Sequence, residues 1–83
     1  MFTVYVLHSP RFDKIYIGYT SNLESRLKSH NELGRKGWTI KYRLWLLIYT
    51  EVFATKAEAM KREKELKSSR GRVFIRNIIE SSR

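Results

Sequence analysis

Cysteine is absent from the 83 residues, which excludes disulfide staples, thiolate catalysis and zinc sites built on sulfur. Acidic side chains are scarce, eight Asp and Glu against seventeen Lys and Arg, for a formal net charge of +9. Internal repeats are missing, so no solenoid is implied, and so are the low-complexity blocks of a disordered tail. Long apolar runs are missing as well. The opening stretch from Met1 to His8 has no basic flank and is too short for a secretory signal or a membrane span. Neither an amphipathic anchor nor a lipidation signal is evident. The expectation is a soluble, cytoplasmic protein without a membrane partner.

The 42% apolar and 13% aromatic residues support one modest core, so residues 1–83 are expected to form a single domain. The basic excess is spread along the chain and makes a positive field over most of the surface. Such a field draws polyanions and releases condensed counterions on binding them, so nucleic acid is the first partner class to consider.

Phe2 to His8 and Lys14 to Tyr19 are rich in β-branched and aromatic residues, and Ser9-Pro10-Arg11-Phe12-Asp13 between them suits a turn. The two runs predict an antiparallel hairpin. Alternation puts Phe2, Val4 and Val6 on one face, opposite Ile15, Ile17 and Tyr19 on the partner strand. Tyr5, Tyr16 and Gly18 fall on the other face, where the tyrosines become cross-strand neighbours and Gly18 opens space beside them. Aromatic cross-strand pairs also stabilise sheets in their own right.

Ser21 with Glu24 fits a capping box, predicting a helix from about Asn22 to about His30. Leu23 and Leu27 form its apolar stripe, and Arg26 and His30, four apart, stand beside that stripe. A solvated arginine and a packing histidine are the plain readings of these two residues. Asn31 to Thr39 has loop composition, with Arg35, Lys36 and Trp38 among two glycines. It suits contact with a nucleic-acid backbone, or a connector with Trp38 folded onto the core. Leu44 to Phe53 is the most apolar run and reads as a buried strand in the middle of the sheet.

Thr55 with Glu58 is a second capping box, opening a helix from about Lys56 to Ser68. Ala59, Met60 and Leu66 mark its inward stripe and Glu63 falls among them, while Glu58, Lys61, Arg62 and Glu65 project to the other side. An inward acid is costly to desolvate unless it is paired, protonated or bound to a cation. Two readings of Glu63 stay open: a salt bridge to Arg26 or a nearby lysine, or a divalent-metal ligand. Ser69-Arg70-Gly71-Arg72 is read as a basic break, and Val73 to Ile79 as a last helix packing through Phe74, Ile75, Ile78 and Ile79. That basic entry could hold a phosphate at the helix N-terminus, and a packing helix with solvated arginines is the plainer reading.

Taken together, Tyr5 in Thr3-Val4-Tyr5, Tyr16 in Tyr16-Ile17-Gly18, Arg26, His30 and Glu63 resemble the GIY-YIG nuclease family, in order and in spacing. Thr3-Val4 stands where that family has Gly-Ile. The resemblance covers nearly the whole chain and is closest to small members that consist of little beyond the catalytic module. Related modules occur in excision-repair incision subunits and homing endonucleases. It implies an α/β (α+β) domain: a small three-stranded antiparallel sheet flanked by three helices, in the order β-β-α-β-α-α.

It also implies a metal-dependent endonuclease that hydrolyses DNA phosphodiester bonds by a one-metal mechanism, with a possible place in DNA repair or processing. Glu63 would hold one divalent cation, Mg²⁺ or Mn²⁺. Arg26 would stabilise charge on the phosphate oxygens. Tyr5, assisted by Tyr16 or His30, would orient and deprotonate the attacking water. Gly18, Arg35, Lys36, Trp38, Lys67 and Arg70 are the candidate nucleic-acid contacts, and a partner protein or a homodimer is a further source of specificity. The rival from another class is a non-catalytic nucleic-acid-binding module of the same fold. A protein-interaction domain using Trp38 and Trp45 is a third reading.

Overall fold

The structure is a computed structural model that describes residues 1–29, 42 and 44–81. Among these residues it contains three antiparallel strands and three helices in the order β-β-α-β-α-α. They are β1 (Phe2–Ser9), β2 (Lys14–Thr20), α1 (Leu23–Lys28), β3 (Leu46–Phe53), α2 (Lys56–Lys67) and α3 (Ser69–Ser81). The expected α+β class and element order are both present.

The strand order is β2-β1-β3, so β1 is central. Its residues Val4 to Ser9 are buried without a break, as a strand covered on both faces must be. The expectation that Leu44 to Phe53 forms the middle strand is corrected, because β3 is an edge strand on which Leu46, Leu47 and Val52 are exposed. An apolar run reports strand propensity but not position, and the position was taken by β1. A bulge between Val6 and Leu7 moves the β1–β3 register, so that Val6 faces Tyr49 while Leu7 faces Leu47.

The predicted hairpin alternation holds. Val4 and Val6 are buried with Ala59, Leu66, Ile75 and Ile79, and Phe2, Ile15, Ile17 and Tyr19 pack around them. The opposite face buries Tyr5, Leu7 and Trp45, with Tyr16, Leu23, Leu27 and Tyr42 around them. Burial of Trp45 removes it as an exposed interaction residue. The hairpin turn closes with the Phe12 amide donating to the Ser9 carbonyl at 3.2 Å, and Asp13 takes a positive φ of 52°, which aspartate tolerates better than most residues.

Helix ends follow side-chain chemistry. Asn22, not Ser21, is the N-cap of α1, its side chain accepting from the Ser25 amide at 3.1 Å. Thr20 Oγ1 accepts from the Asn22 amide at 3.0 Å, which anchors the cap one residue later than expected. The Thr55–Glu58 capping box of α2 is present in both directions. Ser69 to Arg72 do not break the helical path as expected; they form the first turn of α3. Ser68 makes the junction, its amide bonding back to the Glu65 carbonyl and its Oγ accepting from the Gly71 amide at 3.3 Å. Gly71 is required there, since a Cβ would come within 2.3 Å of the Leu66 carbonyl oxygen and 2.4 Å of the Glu65 carbonyl oxygen.

Met60, expected to face inward, is exposed. Arg62, expected to project away, is half-buried and ties α2 to β3. Its Nε donates to Glu51 Oε2 at 2.9 Å, the same oxygen that accepts from Tyr49 Oη at 2.9 Å. Its guanidinium also lies over the Phe74 ring, and the Glu51 carboxylate beside it holds its pKa above the ordinary arginine value.

Candidate active site

Tyr5 lies opposite Gly18 and Tyr16 lies opposite Leu7, so the two tyrosines are diagonal neighbours across the hairpin. Their rings stack at a centroid distance of 6.1 Å and an interplanar angle of 27°. Gly18 makes the stack possible: a Cβ there would come 2.8 Å from Tyr5 Oη and 3.1 Å from Tyr16 Cε1. The room left by the missing side chain is filled by the Tyr5 phenol rather than kept clear. Trp45 closes the stack edge-on against Tyr16 at 6.4 Å.

Arg26 projects from α1 onto this pair. Its guanidinium stands beside the Tyr5 and Tyr16 hydroxyls, and its interaction with the Tyr5 hydroxyl is the main reason its pKa is raised. The Tyr5 phenol is fully buried, and burial pushes its pKa up despite the opposing Arg26 hydrogen bond. Tyr5 therefore stays protonated through the neutral range. Tyr16 is only partly buried.

Glu63 belongs to the helix pair on the other face. Its carboxylate is largely sheltered, with 19% side-chain exposure, and accepts from Lys67 Nζ at 3.2 Å one helical turn on. Its described ion-pair partner is a lysine and not Arg26. A groove of about 750 Å³ runs past the outer edge of β2, and Glu63, Lys67 and Tyr16 all line it. Tyr16 is thus common to both halves of the site: beside Arg26 on one side, it borders the groove of Glu63 on the other.

Three of the five expected positions, Tyr5, Tyr16 and Arg26, are in mutual contact, and Glu63 joins them through the groove. His30, Arg35, Lys36 and Trp38 lie outside the described residues. Lys67 lines the groove, whereas Arg70 is exposed at the first turn of α3, beside a shallower pocket with Arg62 and Phe74. Sequence reasoning missed Lys14 and Arg76 and named Arg72 only within the basic stretch before the last helix; all three also line the groove. Each reads as a solvated cation on its own element, and only the approach of α3 to the hairpin gathers them.

Among the described residues no three His, Asp or Glu side chains gather as a ready-made metal cage. Glu63 supplies one hard carboxylate oxygen donor beside an open groove. That donor set fits a hard divalent cation that keeps most of its water, with the Lys67 ammonium displaced from the carboxylate.

A mixed sheet-and-helix module with paired tyrosines over a glycine, a helical arginine and a groove-lining glutamate defines the class. A family model described as the GIY-YIG catalytic domain matches residues 1–77, and the chain belongs to that nuclease-domain family. It is similar to a UPF0213 protein of Staphylococcus haemolyticus, 41% identical over 56 residues that make up 68% of each chain. It is also similar to a UPF0213 protein of Bacillus licheniformis, 48% identical over 60 residues, 71% of this chain and 60% of that one. A UPF0213 protein of Staphylococcus aureus is 35% identical over 66 residues, 80% of each. The chain thus spans less than two thirds of the Bacillus relative. No solved structure matches. Among the described residues no helix is long and apolar enough to cross a membrane.

Proposed function

We propose that the protein is a metal-dependent endonuclease that hydrolyses phosphodiester bonds in DNA within the cytoplasm, with one divalent cation, Mg²⁺ or Mn²⁺. The observation that carries this reading is the position of Tyr16, shared between the Arg26–Tyr5 cluster and the groove lined by Glu63. Tyr16 and Glu63 line the same groove, and Arg26 stands behind Tyr16, which supports roles for them in orienting water, holding a metal and meeting the phosphate.

In this reading Glu63 holds the cation, which when bound neutralises the scissile phosphate and stabilises the leaving 3′ oxygen. Arg26 binds the nonbridging oxygens as negative charge grows on them. Tyr16, bordering the groove, orients the attacking water. Tyr5 is buried behind it and acts as a positioning residue, holding Arg26 and the Tyr16 hydroxyl. Water adds to phosphorus as the bond to the 3′ oxygen breaks, leaving a 5′-phosphate and a 3′-hydroxyl. The raised pKa of Tyr5 argues against a standing phenolate there, so the water's proton passes to another acceptor of the site.

The test is incubation of the protein with branched, nicked and single-stranded DNA in Mg²⁺ or Mn²⁺. Cleavage lost in Glu63→Ala and in Arg26→Ala is the expected result; cleavage indifferent to both substitutions would sink the assignment. A second reading, a nucleic-acid-binding module that cuts nothing, is favoured by the pairing of Glu63 with Lys67. It becomes the better account if Mn²⁺ broadens no NMR resonances around Tyr16 and Glu63. A place in DNA repair is a matter of which of these substrates is cut fastest.

A further inference from the structure

We infer that the groove along the outer edge of β2 is a track for the phosphodiester backbone beside the scissile phosphate, with Lys14 and Arg72 as the side chains that meet its phosphates. The inference rests on the nuclease reading and extends it to residues outside the Tyr5, Tyr16, Arg26 and Glu63 cluster.

Four cations, Lys14, Lys67, Arg72 and Arg76, and two acids, Asp13 and Glu63, line the groove, an excess of 4 − 2 = +2. Both acids are already engaged. Glu63 accepts from Lys67 at 3.2 Å, and Asp13 Oδ1 accepts from Arg76 at 2.7 Å and sits 3.0 Å from His8 Nε2. The pairing of Asp13 with His8 and Arg76 holds its carboxyl ionised, below the ordinary aspartate range, so neither acid stands unopposed against a phosphate. Among the described residues Lys14 and Arg72 enter no ion pair, so the surplus charge is theirs. Lys14 lies over the Tyr42 ring at 5.5 Å, which restrains its stem without neutralising it. Arg72 is fixed at its base, where its amide donates to the Ser68 carbonyl at 3.0 Å.

Shape completes it. At about 750 Å³ the groove is far larger than a single phosphate needs, and it reaches from the hairpin turn at Asp13 to Tyr16 and Glu63. A strand lying in it runs directly into the candidate active site. A small free anion would use only a fraction of that length.

The experiment measures binding without cleavage: anisotropy of a fluorescent duplex oligonucleotide in EDTA over a salt series. Log affinity falls linearly with log salt, by about 0.9 for each phosphate contact on duplex DNA. The double substitution Lys14→Met and Arg72→Met is expected to shrink the slope by about 1.8 on that scale. Arg72→Lys is expected to retain its share. Lys56→Met with Lys61→Met, on the exposed side of α2, serves as a control of equal charge change and is expected to leave the slope near wild type. An unchanged slope in Lys14→Met/Arg72→Met, or an equal loss in the control, overturns the track. Wild-type protein that binds with the expected slopes but never cuts DNA overturns the nuclease reading and leaves the track standing. Absence of any binding at low salt overturns both.

Discussion

The two faces of the sheet are built from different materials. The buried centre of the face under α2 and α3 is aliphatic: Val4, Val6, Ala59, Leu66, Ile75 and Ile79 carry no side-chain polar atom and need no partner, and the aromatic residues Phe2, Tyr19, Tyr49 and Phe53 stay at its half-buried margin. The face under α1 buries Tyr5 and Trp45 with Leu7 and gathers Tyr16 and Tyr42 around them. Phenols bring apolar area and a hydroxyl that must be satisfied once buried. Here the Arg26 guanidinium stands beside the Tyr5 and Tyr16 hydroxyls, and interaction with them orients it. The first face supplies cohesion and the second arranges polar groups, so a substitution on each should damage a different property.

The largest effect is expected on the aliphatic face. Ile75→Ala removes a fully buried side chain and should cost about 2–5 kcal/mol, read from urea unfolding, while the folded fraction keeps its rate of DNA cleavage. A fall in rate beyond the unfolded fraction would erase the distinction between the faces. Next comes Arg26→Ala. Loss of a preorganised charge partner should lower the cleavage rate about 10²- to 10³-fold, with a smaller loss of stability, about 1–3 kcal/mol, because the buried Tyr5 hydroxyl loses the guanidinium beside it.

Gly18→Ala should hurt both properties. Its methyl would meet Tyr5 Oη at 2.8 Å, and overpacking of this kind costs about 1–3 kcal/mol. Because the nearest atom is the hydroxyl, Tyr5→Phe in the same chain should recover part of the stability and none of the activity, which a double-mutant cycle reads directly. An additive cycle would show that the clash lies elsewhere.

The smallest effect is in pH dependence, where the faces should respond at opposite ends of the scale. On the helix-pair side His8, and then Arg76, hold the Asp13 carboxyl below its ordinary value. A depressed acid stabilises the fold above its unfolded pKa, about 3.9, and the contribution is lost as pH falls through the folded value. On the other side burial raises the Tyr5 pKa. Its contribution is present below the unfolded phenol value, about 10, and is lost as pH rises through the folded value. Melting curves of Asp13→Asn should flatten only the acid limb and those of Tyr5→Phe only the alkaline limb; the reverse pattern would contradict the assignments.

Much of this plan was legible in the chain itself, in particular places. Alternation through Phe2, Val4 and Val6 and through Ile15, Ile17 and Tyr19 named one face of the hairpin, because a strand's period of two is local geometry. Thr55 and Glu58 marked the start of α2, because a cap is completed within four residues. The cap of α1 was read one residue early because Ser21 and Asn22 are both competent, and Thr20 Oγ1 selects between them. The break expected at Ser69 to Arg72 failed because Ser68 ends one helix and caps the next, while Gly71 allows the two backbones to approach.

What the sequence by itself determined, then, was the inventory: which residues share a face, where helices begin, and that two tyrosines, an arginine and a histidine recur at family spacing with a glutamate on a later helix. Those features depend on neighbours a few residues apart. Only the tertiary structure decided that β1 and not β3 is central, that Glu63 meets Lys67 and not Arg26, and that Tyr5 is buried while Tyr16 reaches the groove. It also brought Arg76 to Asp13, 63 positions away, and so built a groove that no single segment contains. Such contacts depend on which elements pair across the whole chain, and local periodicity carries no information about that choice.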